Sequence, residues 1–140
     1  MVLLLQLTQF VLLHQTVAKI SATMMSAEDS NQLKDSIPQQ IKEKIIEIRD
    51  ALLKCVEVSK VYLYGSYAKG TFTNDSDIDI AVFVVSEANE RENYIEFNRL
   101  ARCSKYDIQI QVFNEEELNE PNGIIDEIVR YGTDITSIEV

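Results

Sequence analysis

Apolar positions along this chain switch between two periods, and the switches mark its elements. Ile41, Ile45, Ile48 and Leu52, followed by Cys55 or Val56, recur at spacings of four and three. That spacing draws one apolar stripe along a helix, with Lys42, Glu43, Glu47, Arg49 and Asp50 on its other face. Ser36-Ile-Pro38 opens the helix, since a proline in the first turn gives up an N–H that has no partner there. The helix is expected to end near Cys55, which reads as a small buried hydrophobe rather than a reactive thiol. The period then becomes two. Val61–Tyr64 is a short strand of β-branched and aromatic residues, broken by Gly65-Ser66. Residues Ser66–Gly70 suit a helical turn and Thr73-Asn-Asp75 a loop turn. Asp77–Val84 is the clearest strand in the chain, and Tyr106–Phe113 is a third, alternating Asp107, Gln109 and Gln111 with Ile108, Ile110 and Val112. Between them, Glu90–Cys103 reads as a helix with Tyr94, Phe97, Leu100 and Ala101 on one side. After the acidic turn Glu115–Glu117 and Pro121, residues Gly123–Tyr131 predict a last helix, stopped by Gly132. Strands separated by helices indicate an α/β layer structure. No internal repeat and no dividing linker interrupts it.

Composition narrows the chemistry. The 140 residues suffice for one core, and the formal net charge is −10. A surface of that sign repels nucleic acid and anionic lipid, so neither is an expected partner. The single histidine, His14, and the two cysteines, Cys55 and Cys103, leave no material for a Ser-His-Asp or Cys-His mechanism, a disulfide framework or a four-ligand zinc site. Catalysis, if any, must run on carboxylates and backbone groups.

Residues 1–25 differ from the rest. They hold no acidic residue and one basic one, Lys19, so the twelve remaining basic residues face all twenty-three acids in residues 26–140. The run lacks the basic leader of a signal peptide and is too interrupted to span a membrane. Leu3, Leu7, Phe10, Val17 and Ile20 fall near helical spacing, which allows an extra amphipathic helix. The reading favoured here is an atypical hydrophobic extension upstream of a start at Met24 or Met25, with residues 26–140 forming a single domain.

Three features carry candidate chemistry. Gly65-Ser66 follows a strand and opens a helical turn, a geometry in which backbone N–H groups and a hydroxyl can meet an anion; a plain turn is the blander meaning. Asp77 and Asp79 share one face of a strand, because side chains at i and i+2 point the same way. Aspartate is a poor strand former, and paired carboxylates repel unless a cation lies between them. Mg²⁺, with its preference for hard oxygen ligands shared with phosphates, is the natural cation; a solvated edge strand is the alternative. Asp107 lies on the polar face of the third strand. It joins the other two acids if the strands are neighbours, and is otherwise a surface acid.

Gly65-Ser66, ten intervening residues, and Asp77-x-Asp79 resemble the signature of the minimal nucleotidyltransferases, small members of the DNA-polymerase-β-like superfamily. Asp107 stands where that family carries a third aspartate, and the likeness extends over roughly residues 36–132. Lys69 departs from it, since arginine is more usual there, but the charge is kept. The resemblance implies a small mixed β-sheet flanked by helices. It further implies a Mg²⁺-dependent enzyme moving AMP from ATP to a hydroxyl, with two ions about 3.5–4 Å apart. Asp77 and Asp79 would be shared metal ligands, and Asp107 the ligand nearer the acceptor, orienting or deprotonating it. Gly65 and Ser66 would bind the β- and γ-phosphates. Lys69 would meet the pyrophosphate, unless it is simply a solvated lysine.

So small an acidic chain offers little surface for a nucleic-acid or small-molecule acceptor, which points to a protein. In the resembling family such proteins act as cytoplasmic antitoxins of HEPN-domain RNase toxins, by adenylylation, by binding, or both. A basic, RNA-binding partner suits the acidic surface. Two alternatives stay open: a stoichiometric antitoxin without turnover, and a stand-alone adenylyltransferase of the aminoglycoside-modifying kind. Arg99, Arg102 and Lys105 read as complements to a helix dipole rather than an RNA site.

Overall fold

The computed structural model describes residues 32–139, so the readings of residues 1–25 lie outside the described residues. The elements, in order, are α1 (Gln39–Leu53), β1 (Val58–Tyr64), α2 (Gly65–Lys69), β2 (Ile78–Val84), α3 (Glu90–Arg102), β3 (Ile108–Asn114), a 3-10 turn (Glu115–Leu118), α4 (Gly123–Tyr131) and β4 (Thr133–Asp134). The four strands form one mixed sheet in the order β3-β2-β1-β4. β1 runs antiparallel to both β2 and β4, while β2 and β3 are parallel. Among the described residues, no helix is long and apolar enough to cross a membrane.

Strand parity divides the core in two. Ile78, Ile80, Val82 and Val84 of β2 point to one face, where α1 contributes Ile45, Ile48 and Leu52 and α3 contributes Phe97 and Ala101. Ala81 and Phe83 point to the other, against Ile125 and Ile128 of α4. β2 is therefore covered on both faces, which is why six of its seven residues are apolar and buried. The exception is Asp79.

The observed elements follow the expected ones with local departures. β1 begins three residues earlier than expected, through a register shift between Val58 and Lys60. Ser59 Oγ donates to the Phe83 carbonyl at 3.1 Å there, so the polar residues that hid the strand are accommodated by the irregularity. Pro38 caps α1 from outside rather than sitting in its first turn. Cys55 is half-buried against the core, whereas Val56 is 95% exposed. The acidic turn is a 3-10 helix closed by a capping box between Asn114 and Glu117. The two-residue strand β4 has no counterpart in the sequence pattern.

Two assignments are corrected. Tyr94 and Leu100, expected in the core, are exposed. Phe97 and Ala101 alone carry the buried line of α3, and Asn93 and Asn98 take its flanks, donating to Glu57 Oε2 at 2.8 Å and to the Ile110 carbonyl at 3.0 Å. Arg49, assigned to the solvent face of α1, is buried. Its Nη1 donates to the carbonyls of Ile135, at 2.8 Å, and Ile138, which pins the C-terminal segment onto α1.

Candidate active site

The acids gather where β1 ends and β2 and β3 begin. Because β2 and β3 are parallel with Ile78 opposite Ile108, the residues just before them, Asp77 and Asp107, are lateral neighbours. The Ile78 N–H donates to the Asp107 carbonyl at 2.8 Å and fixes that register. Asp79 is opposite Tyr64 on β1 and Gln109 on β3. Alternation sends Asp77 and Asp79 to the face of Ala81 and Phe83, the one that α4 covers only in part. The Gln109 amide on the same face donates to Asp77 Oδ2 at 3.0 Å.

Asp77 and Asp79 both feel the neighbouring carboxylates. The Asp77 carboxyl is held above its ordinary value first by a hydrogen bond shared with Asp107, then by desolvation and by the Asp107 charge. Asp79 is raised too, first by burial and then by the charges of Asp77 and Asp107. Neighbouring carboxylates oppose each other's ionisation in this way when no cation separates them.

Gly65 brings the loop to the acids. Its φ of +70° belongs to the left-handed region, and a Cβ there would lie 2.3 Å from Asp79 Oδ2. Glycine thus serves twice, permitting the turn and leaving room for the carboxylate. Ser66 and Lys69 follow on α2, which closes at Gly70, also left-handed at φ +79°. Lys69 is neither free nor simply solvated: its Nζ lies 2.5 Å from Glu127 Oε1 on α4 and 5.8 Å from the Tyr131 ring centroid.

Sequence reasoning passed over Tyr64, Gln109 and Glu127. In the sequence Tyr64 is only the last residue of a short strand. It lies beside Asp79, and its phenol is pushed up to about 12 by burial, then by the charges of Asp79 and Glu127. Gln109 had a usable signal, two residues after Asp107 on the same polar face. Glu127 had none. A cleft of about 340 Å³ opens beside Asp77 and Asp107, walled by Ile41, Tyr67, Phe72 and Tyr106. A larger one, about 530 Å³, lies between Lys60, Tyr62, Glu115 and Val129 and is lined by none of the three aspartates.

The donor set suits a divalent cation shared with a ligand rather than one caged by protein alone. Among the described residues, no group of three His, Cys, Asp or Glu side chains is arranged to hold an ion by itself. Mg²⁺ is typically held by one or two carboxylates and completed by substrate phosphates and water. Asp77 and Asp107, lateral neighbours at the start of β2 and β3, with Asp79 two residues along, meet that requirement.

A family model described as "Polymerase beta, Nucleotidyltransferase" matches residues 43–139. A protein of Methanocaldococcus jannaschii named "Putative protein adenylyltransferase" is 30% identical over 80 residues, which are 56% of this chain and 80% of the relative. A solved toxin-antitoxin structure with AMP-PNP contains a chain 26% identical, aligned over 66% of this chain and 69% of that one, with a TM-score of 0.47. A chain in the complex of tri-AMPylated Shewanella oneidensis HEPN toxin with MNT antitoxin is 23% identical, over 69% and 71% of the two chains, with a TM-score of 0.44.

Proposed function

The chain belongs to the polymerase beta nucleotidyltransferase family, and we propose that it transfers AMP from ATP to a hydroxyl of a protein partner. The observation that carries this reading is the convergence of Asp77 and Asp107, neighbours across parallel strands, with Asp79 seated against Gly65. Such a reaction asks the protein for charge placement and alignment rather than covalent chemistry. Asp77 and Asp79 would hold two Mg²⁺ ions in common, with Asp107 completing the one nearer the acceptor; when bound, the ions neutralise charge on the attacking and leaving oxygens.

The chain's own groups divide the remaining work. Gly65 lets a polyphosphate approach the backbone closely, and Ser66 offers a hydroxyl donor to a β- or γ-phosphate oxygen. Lys69 supplies positive charge to the departing pyrophosphate. Asp107 orients the acceptor hydroxyl and takes its proton. The acceptor oxygen then bonds to the α-phosphorus as the bond from that phosphorus to the bridging oxygen breaks. Pyrophosphate leaves with the bridging oxygen.

A protein acceptor is supported by the name of the M. jannaschii relative and by charge. At net −10 the chain complements a basic partner and repels nucleic acid. An RNase toxin of the HEPN class, basic because it holds RNA, has that chemistry, which makes this chain its antitoxin. The test first reads the adjacent gene, where a HEPN-type reading frame is expected, and then incubates the chain with that gene's product, labelled ATP and Mg²⁺. Label is expected on the partner, and is lost with Asp77→Asn or Asp79→Asn while both variants stay folded. Growth rescue without label, or full labelling by both variants, overturns the catalytic reading.

A further inference from the structure

Lys69 already has an anion. Its ammonium bridges α2 to α4 through Glu127, and the Tyr131 ring lies on the same side. Glu127 belongs to α4, whose Ile125 and Ile128 pack on the sheet face that bears Asp77 and Asp79. A fourth negative charge thus borders a site whose proposed ligand is itself a polyanion, and it occupies the lysine that the ligand would use. A carboxylate oxygen and a phosphate oxygen are equivalent acceptors for an ammonium N–H. An ammonium held against the Glu127 carboxylate is drawn away from a phosphate placed elsewhere in the site.

We infer that Glu127 is an internal competitor for the triphosphate: it holds Lys69 in the free protein and yields it when nucleotide binds, which releases the tie between α2 and α4. The inference rests on the nucleotidyltransferase reading above and assigns Glu127 a positioning role within it. Both side chains of the pair are close to half exposed, 40% for Lys69 and 44% for Glu127. The exchange therefore tunes affinity and does not gate the site absolutely. Exposed pairs of this kind correspond to a factor of about two to five in a binding constant.

The test measures MgATP binding to the full chain by titration calorimetry, alongside KM and kcat for AMP transfer. Glu127→Gln is expected to tighten ATP binding and lower KM about two- to fivefold, with a smaller change in kcat. Glu127→Ala gives the same sign without an amide in the carboxylate's place. In a Lys69→Met background, Glu127→Gln is expected to do little, because the carboxylate acts through the ammonium. Unchanged or weaker ATP binding in Glu127→Gln and Glu127→Ala overturns the inference. So does an effect that persists undiminished in Lys69→Met, since that marks general charge repulsion. If the wild-type chain binds no ATP, the nucleotidyltransferase reading falls and the inference with it. Normal ATP binding and Asp77-dependent transfer with an inert Glu127 remove the inference alone.

Discussion

Gly65→Ala separates two demands that one glycine meets. The first is conformational. A φ of +70° is adopted by an L-residue at a cost of roughly 1–2 kcal/mol. The second is steric, since the added Cβ would lie 2.3 Å from Asp79 Oδ2 and 3.2 Å from its Cγ. No Cβ is tolerated at that distance, so the Asp79 carboxylate must rotate away or the turn must open. A forced off-rotamer side chain adds about 0.5–1.5 kcal/mol. Together these give a destabilisation of about 1.5–3.5 kcal/mol, on the order of 5–15 °C in Tm for a domain of this size. Gly70→Ala is the internal control. It meets the same left-handed strain at φ +79°, but its Cβ would face the Lys34 side chain at 3.1 Å, a flexible chain free to move. Both variants are therefore expected to lose stability in thermal denaturation. Gly65→Ala alone is expected to lose nearly all AMP transfer at a temperature where both are folded, because it alone displaces Asp79. Equal activity loss in the two variants, or full activity in Gly65→Ala, refutes the placement of Asp79 against the loop.

Two further outcomes follow from the acids and from Arg49. Asp77 and Asp79 have folded-state values raised above the unfolded carboxyl value, so the folded chain binds more protons than the unfolded chain between the two values. Stability without divalent ions is then greatest below the unfolded value and falls as pH rises through the raised folded ones. Melting temperatures in chelator from pH 3.5 upward are expected to show that fall, and Asp77→Asn to flatten it; a Tm that rises through this window in wild type sinks the argument. Arg49→Met keeps the apolar stem of the side chain but leaves the Ile135 and Ile138 carbonyls without their donor. A cost of about 1–3 kcal/mol and faster proteolytic trimming after β4 are expected, read by urea denaturation and limited proteolysis. An unchanged trimming rate means that the C-terminal segment docks by other contacts.

Parity was legible in the chain, and register was not. Alternation along Asp77–Val84 and Asp107–Phe113 assigns each acid to a face without any knowledge of the sheet, because the side-chain period of a strand is two. That Asp77 and Asp107 become neighbours depends on β2 and β3 pairing in parallel with Ile78 opposite Ile108, a long-range choice that no local pattern encodes. The helices divide in a similar way. Arg49 lies four residues after Ile45 and three before Leu52, squarely in the apolar stripe of α1, so its position announced burial while its charge argued against it. The conflict is resolved by carbonyls some 86 and 89 residues further along. On α3 the error runs the other way: Tyr94 and Leu100 are apolar, yet Asn93 and Asn98 win the flanks because their amides reach Glu57 and the Ile110 carbonyl.

Glu127 marks the same limit at the site. On α4 the buried line runs through Ile125 and Ile128, and a glutamate beside it reads as ordinary solvent-facing charge. Its importance arises only because α4 lies across the face that bears the acids, with Lys69 within reach. A motif supplies the groups that touch the reacting atoms. The groups that set their charge come from whichever element covers the remaining face, and the core-packing residues Ile125 and Ile128 decide where that element sits.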